Sequence, residues 1–209
     1  LVVPRGHGEA TIAVRLGTLE QKVAVRVEGI GEGEIIDFKT DVIAALSRAG
    51  CNQGACHGSP QGKGGFRLSL RGFDPALDYD TLARESVGRR TNQTNADASL
   101  ILQKALGKIP HQGGIRFKTT EPEYQTIRTW IHQGCRPSRS EAKLVSLEVS
   151  PSRRPLPEAR PRQQLIARAR FDNGVVRDVT HLAVFSSNNE NAATVTRDGL
   201  VEFHGTAEA

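Results

Sequence analysis

Three side chains that can bond or bind a cofactor lie within one short stretch of the chain: Cys51, Cys56 and His57. We call residues 51–57 the cysteine loop. Two thiols can add across the two vinyl groups of a haem, and a histidine that directly follows the second thiol can then bind the iron from one side. The usual spacing is C-x-x-C-H, and here two further residues separate the cysteines. The cysteine loop therefore indicates covalent haem attachment at an unusual spacing.

Two other chemistries are open to the same residues. A disulfide between Cys51 and Cys56 would leave His57 without a role. A zinc site would need four ligands, and either Cys135 or His111 could complete a set with the cysteine loop. The spacing alone does not decide between haem, zinc and a disulfide.

A haem iron offers a second face, and its ligand is usually Met or His. The chain contains no Met, so the second ligand within this chain would be a histidine. His111 is favoured because it lies in a Pro-His-x-Gly-Gly loop that can reach the open face. His132 follows Ile131 on a predicted helix and is expected to point away from the core. An open or water-bound face is the remaining alternative. Ligation by two histidines predicts a lower reduction potential than His/Met ligation.

Basic side chains flank the cysteine loop in the sequence: Lys63, Arg67, Arg71, Arg89, Arg90 and Arg116. Arginine offers a bidentate fork to carboxylates, so one or two of these residues could pair with haem propionates. We take Arg71, Arg89 and Arg90 as the propionate candidates, and expect most of the others to be solvated.

The chain of 209 residues has a net charge of +5, and residues 37–137 carry the excess, with 14 Lys and Arg against 9 Asp and Glu. No block of Lys and Arg resembles a nucleic-acid-binding arm, so we expect a redox partner rather than nucleic acid. No apolar run approaches the about 20 residues of a membrane span. Because the chain starts at Leu1 and lacks Met, we expect it to be part of a longer protein with additional domains.

The apolar periodicity changes twice along the chain. Residues 1–29 alternate and turn at Gly17-Thr18, which predicts a hairpin from the end of a truncated sheet domain. Residues 37–137 show helical spacing. Residues 143–209 return to short strands, with a hairpin signal at Asp172-Asn173-Gly174. The chain is therefore predicted to be multidomain, with a mainly α haem domain between all-β sandwich pieces.

Local signals mark the segment boundaries. Glycines at 29–33 indicate a linker. Helix starts are predicted at Thr40 or Asp41, at Asp74-Pro75, at Asp97 and at Pro122.

Five short motifs of the middle segment follow one another in the order found in a known family. They are Gly50 to Gly58, Gly65 to Asp74, Gly88-Arg89-Arg90, Pro110 to Gly114, and Trp130 to Gly134. Together they resemble the planctomycete-type cytochrome c domain, a relative of class I cytochromes c, over about residues 37–137. The resemblance implies haem c bound through Cys51 and Cys56, with His57 as the proximal ligand. It also implies electron transfer outside the cytoplasm, in the periplasm or at the cell surface.

Residues 143–209 resemble a bacterial Ig-like domain of group 2. The likeness rests on Ala193-Thr194-Val195, Gly199-Leu200-Val201 and Gly205-Thr206-Ala207. Residues 1–28 resemble the end of another such domain.

The expected function is that of a single-haem electron carrier and not of an enzyme. One alternative is a surface interaction module with a zinc-bound or disulfide-bonded centre and no redox role. Another is a non-catalytic piece of an enzyme whose active domain lies beyond Ala209.

Overall fold

The computed structural model describes residues 8–27, 35–139, 141–152 and 162–204. The predicted linker at 29–33 and the Gly205-Thr206-Ala207 motif lie outside these ranges. Residues 1–36 and 37–209 form two compact units.

The first unit contains one antiparallel hairpin, made of β1 (Gly8–Leu16) and β2 (Leu19–Val27). Leu16 pairs with Leu19, so Gly17 and Thr18 form the two-residue turn. The predicted hairpin is therefore confirmed.

The second unit begins with short helices separated by long loops. They are α1 (Ile43–Arg48), α2 (Pro75–Tyr79), α3 (Glu85–Gly88), α4 (Leu100–Ala105) and α5 (Pro122–His132). Single wide turns of π type span Phe38–Val42 and Asp80–Arg84, and tight 3₁₀ turns span Leu70–Gly72 and Ala96–Ala98. No helix among the described residues is long and apolar enough to cross a membrane.

The core of this part forms around α5. Trp130 is fully buried, its ring centroid lies 5.2 Å from that of Phe38, and its Nε1 donates to the Arg136 carbonyl at 2.8 Å. Because the indole N–H has a partner, the ring is buried without an unsatisfied donor. Ile127 and Leu46, from α5 and α1, are also fully buried. These contacts fix the end of α1, from which the cysteine loop leaves.

The later strands form two small antiparallel sheets. They are β3 (Leu144–Ser150), β4 (Arg162–Gln164), β5 (Ile166–Phe171), β6 (Val176–Asp178), β7 (Ala193–Val195) and β8 (Leu200–Phe203). One sheet has the order β3-β5-β6 and the other β4-β8-β7. Asp172, Asn173 and Gly174 connect β5 to β6, as their turn chemistry predicts.

The predicted fold class is wrong. The longest α-helix has 11 residues and the others have four to six, so residues 37–137 are not a mainly α domain. In α3, Ser86 and Val87 have positive φ, so even this turn is not regular. The two three-stranded sheets are likewise too small for the Ig-like sandwiches expected at the flanks. The helical periodicity was misleading because glycine-rich loops interrupt it before the helices can extend.

Ion pairs join the β segment, residues 143–204, to the helices. Arg48 Nε lies 3.0 Å from Glu123 Oε1, and both side chains are almost fully buried. Arg197 of the β segment reaches the same carboxylate, and Arg177 pairs with Asp41 at 2.8 Å. Arg48 also donates to the Thr180 and His181 carbonyls, so ion pairs and hydrogen bonds together join these two parts of the second unit.

Candidate functional site

The cysteine loop folds back on itself directly after α1. The Cys51 amide donates to the Leu46 carbonyl at 2.9 Å, and the His57 amide donates to the Cys51 carbonyl at 3.0 Å. A Cβ at Gly58 would lie 2.1 Å from the Asn52 carbonyl oxygen, so the return of the chain needs glycine at this position. The wide spacing of the cysteines is thus accommodated by a closed turn that carries His57 back beside Cys51.

The two thiols of the loop have different surroundings. Cys51 is buried, Cys56 is half-buried, and neither these two nor Cys135 forms a disulfide. Burial raises the pKa of the Cys51 thiol to about 12, and the Arg116 guanidinium opposes that shift. At neutral pH Cys51 is therefore a protonated thiol.

His57 is oriented by a backbone carbonyl. Its Nδ1 lies 3.0 Å from the Phe66 carbonyl oxygen, and its ring packs against the Phe66 ring with centroids 4.6 Å apart. Burial lowers the pKa of His57, and the hydrogen bond to Phe66 acts in the opposite direction. A neutral imidazole that donates through Nδ1 presents Nε2 as its coordinating nitrogen.

His111 is held in the same manner by its own loop, between α4 and α5. Its Nδ1 lies 2.9 Å from the Gly114 carbonyl oxygen. A Cβ at Gly113 would lie 2.8 Å from His111 Cε1, so glycine is needed for the ring to fold over the loop. Nε2 is again the nitrogen available for coordination.

The rings of His57 and His111 lie next to each other. Their centroids are 6.2 Å apart and their planes differ by only 7°. Two imidazoles that bind one metal from opposite sides have centroids about 6 Å apart, because each metal–nitrogen bond is about 2 Å long. The centroid distance therefore matches that of two ligands to one metal ion, while the 7° angle is common to coplanar ligands and to rings stacked face to face.

Exposed apolar side chains lie beside both histidine loops. Leu70 is 52 % exposed and approaches the cysteine loop at Gly54, where an added Cβ would lie 3.9 Å from Leu70 Cδ1. Ile115, 68 % exposed, directly follows the glycine whose carbonyl orients His111. These side chains offer contact to the apolar face of a flat cofactor.

The propionate candidates separate into two groups. Arg71 and Arg89 are exposed. Arg90 is buried, and its guanidinium donates to the carbonyls of Thr81 at 2.7 Å and Gly65 at 2.6 Å. Arg71 and Arg89 are therefore accessible to a carboxylate, whereas Arg90 is engaged by the protein itself.

Arg116 connects the two loops of the site. Its Nε donates to the Ala49 carbonyl at 2.7 Å, just before the cysteine loop, and one terminal nitrogen donates to the Gly113 carbonyl at 3.3 Å. The sequence marked Arg116 only as one of several basic residues. Phe66 lies in the Gly65–Asp74 motif, but the sequence assigned it no role, because its carbonyl and ring reach His57 only in the folded loop.

His132 is the alternative second ligand predicted from the sequence. His132 is exposed at the end of α5, as expected. Within the described residues, no three His, Cys, Asp or Glu side chains form a cluster that could hold a metal ion. A haem iron needs only two protein ligands, because the porphyrin supplies the other four.

Comparisons of the chain with protein families, with curated proteins and with solved structures gave no match.

Proposed function

We propose that residues 37–137 bind one haem c covalently and carry electrons. The observation that supports this most strongly is the parallel pair of His57 and His111, with ring centroids 6.2 Å apart. Two imidazoles bound to one haem iron would have centroids about 6 Å apart, and this pair has that separation.

The residues of the site fit this cofactor in three respects. Each imidazole donates through Nδ1 to a backbone carbonyl, the usual support for a metal-binding histidine. Cys51 and Cys56 supply two thiols, each of which would add its sulfur and its hydrogen across one vinyl group. Leu70 and Ile115 supply exposed apolar contact.

When bound, the haem supplies one-electron redox chemistry. His57 and His111 would hold the iron, and Leu70 and Ile115 would contact an apolar part of the cofactor. Arg71 and Arg89 are the accessible candidates for pairing with propionates. Two histidine ligands favour a low reduction potential. We place the protein in the periplasm or at the cell surface, since haem is attached to such motifs after export, and its net positive charge suits an acidic redox partner.

The test is to export the full chain into the periplasm of a host that attaches haem c. We expect a Soret band, and a pyridine haemochrome spectrum that survives extraction with acidified acetone. Cys51→Ser and Cys56→Ser should each leave one thioether with a shifted α band, and the double variant should abolish covalent haem. Cys135→Ser is the matched control and should retain both bonds.

A wild-type chain without haem in that host would overturn the proposal. Elemental analysis and free-thiol titration of the same sample then test the interaction-module alternative, which expects one equivalent of zinc or a Cys51–Cys56 disulfide.

A further inference from the structure

Arg90 is a buried arginine whose donors point at the loop beside His57. One terminal nitrogen donates to the Gly65 carbonyl, and the other donates to Thr81 and lies 3.0 Å from Glu85 Oε2. A buried guanidinium is costly unless its donors are satisfied, so this set of acceptors fixes Arg90 in one position.

Phe66 contacts both Arg90 and His57. The Arg90 guanidinium stands over the Phe66 ring at 4.8 Å from its centroid, a cation–π contact. The Phe66 ring also packs against the imidazole of His57, at 4.6 Å between centroids. The same residue provides the carbonyl that accepts from His57 Nδ1.

The backbone around Phe66 is also closed into a small turn. Lys63 and Phe66 exchange backbone hydrogen bonds at 2.9 and 3.1 Å, and the Leu68 amide donates to the His57 carbonyl at 2.8 Å. Within this turn, Arg90 donates to the carbonyl of Gly65, the residue before Phe66. Removing Arg90 would therefore free the Phe66 ring and the Gly65 carbonyl, two of the contacts that hold the residue whose carbonyl orients His57.

We propose that Arg90 is a positioning residue for His57: by binding Gly65 and the face of Phe66, it sets the tautomer and orientation of the imidazole. It acts through Phe66 and does not touch a propionate. This inference rests on the proposed haem function for its purpose, but not for its test, because the orientation of His57 is measurable in the chain without haem.

The first measurement uses the full chain produced in the cytoplasm, where no haem is attached. Nitrogen-15 NMR of the His57 ring reports which nitrogen carries the proton. We expect the wild type to show predominantly the Nδ1–H tautomer. Arg90→Gln should lose this preference, and Arg90→Lys, which keeps the charge over Phe66, should restore part of it. An unchanged tautomer in Arg90→Gln would overturn the proposal.

Arg84→Gln is the matched control. Arg84 also stands over an aromatic ring, that of Tyr79 at 5.1 Å, but is exposed and pairs with Asp80. Its loss should leave the His57 tautomer unchanged, and a change equal to that of Arg90→Gln would contradict the assignment. If Arg90→Gln does not fold, Phe66→Leu replaces it. This variant keeps the carbonyl but removes the ring, and must also reduce the Nδ1–H population.

The second measurement uses the haem-loaded chain. A hydrogen bond from Nδ1 to a carbonyl increases the basicity of a ligating histidine and so stabilises the oxidised iron. We expect Arg90→Gln to have a more positive reduction potential than wild type and Arg84→Gln to be unchanged. Equal potentials in all three would overturn the positioning role, whereas absence of haem from the wild type would overturn only the proposed function.

Discussion

The imidazole planes of His57 and His111 differ by 7°, although the two residues come from separate loops 54 positions apart in the sequence. Each loop orients its own ring through a carbonyl, Phe66 for one and Gly114 for the other. Arg116 then bridges from one loop to the other. The parallel arrangement is therefore built by three independent sets of contacts.

Replacement of the distal candidate tests this arrangement directly. In the haem-loaded protein, His111→Ala should convert a low-spin spectrum to a high-spin one, because one axial ligand is lost, and the ferrous form should gain carbon monoxide binding. His132→Ala should leave the spectrum unchanged, since that side chain is exposed at the end of α5. Retention of the low-spin spectrum in His111→Ala would show that another group binds the second face.

The thiols should differ in reactivity in the chain without haem. With a pKa of about 12, Cys51 stays protonated at pH 8, whereas the half-buried Cys56 is accessible. Since the thiolate is the nucleophile, we expect iodoacetamide to label Cys56 well before Cys51. Peptide mapping by mass spectrometry, with Cys135→Ser as background, measures both rates. Equal rates at pH 8 would contradict the burial of Cys51.

The same shift predicts how stability depends on alkaline pH. The folded chain keeps the Cys51 proton to about pH 12, and the unfolded chain loses it near 9.0. The unfolded state therefore binds fewer protons in that window, and the free energy of unfolding must fall as pH rises through it. Urea denaturation of wild type and Cys51→Ser between pH 8 and 10 should show a steeper decline for wild type.

Glu123→Ala should be among the most destabilising single changes in the second unit. It removes the buried carboxylate that pairs with Arg48 and leaves the exposed Asp198 at 3.0 Å, and removing one partner of a buried ion pair costs about 3–5 kcal/mol. Glu148→Ala is the control, because Glu148 and Arg170 are largely exposed and such pairs contribute about 0–1 kcal/mol. Urea denaturation gives both values, and similar losses would mean that the buried pair is not needed.

Asp78 fixes the chain just after the turn that supports His57. The side chain is fully buried and accepts from the Ser69 amide and, at 2.7 Å, from the Ser69 hydroxyl. Asp78→Ala leaves both donors unsatisfied, at about 1–3 kcal/mol each. Asp80→Ala, which removes an exposed pair with Arg84, should cost less than about 0.5 kcal/mol. Equal unfolding free energies for the two variants would contradict this role.

Sequence signals succeeded where one local group decides the structure. Asp74 accepts from the Leu77 amide at the start of α2, and Pro122 begins α5, as predicted. The Gly17-Thr18 turn closes β1 onto β2. In each case the deciding contact lies within four residues, so the sequence contains it.

The signals failed where a distant partner competes for the same side chain. Asp37 caps the first turn in place of the predicted Thr40 or Asp41, and Asp41 instead pairs with Arg177 of the β segment. Asp97 does not cap α4, because its carboxylate binds Arg128 and Tyr124 of α5. These partners lie 27 to 136 positions away in the sequence, so a pattern of neighbouring residues does not predict the contacts.

The same limit applies to the candidate site. The cysteine loop and His111 are recognisable from residue type and spacing. The role of Arg90 cannot be recognised in this way. It depends on contacts of the Arg90 guanidinium with the Thr81 and Gly65 carbonyls and with the Phe66 ring, which form only in the folded chain. The size of the helices was also overestimated, since periodicity shows which face is apolar but not where a glycine stops the helix.

The shared carboxylate of Glu123 has a consequence for how such a chain can be cut or recombined. One of its two arginines comes from α1 and the other, Arg197, from the β segment. A fragment that ends before β3 would leave Glu123 without Arg197. A chimera with a foreign β segment would do the same. The segments on the two sides of residues 137–143 therefore cannot be exchanged independently. Glu123 on one side and Arg197 on the other have to be kept together.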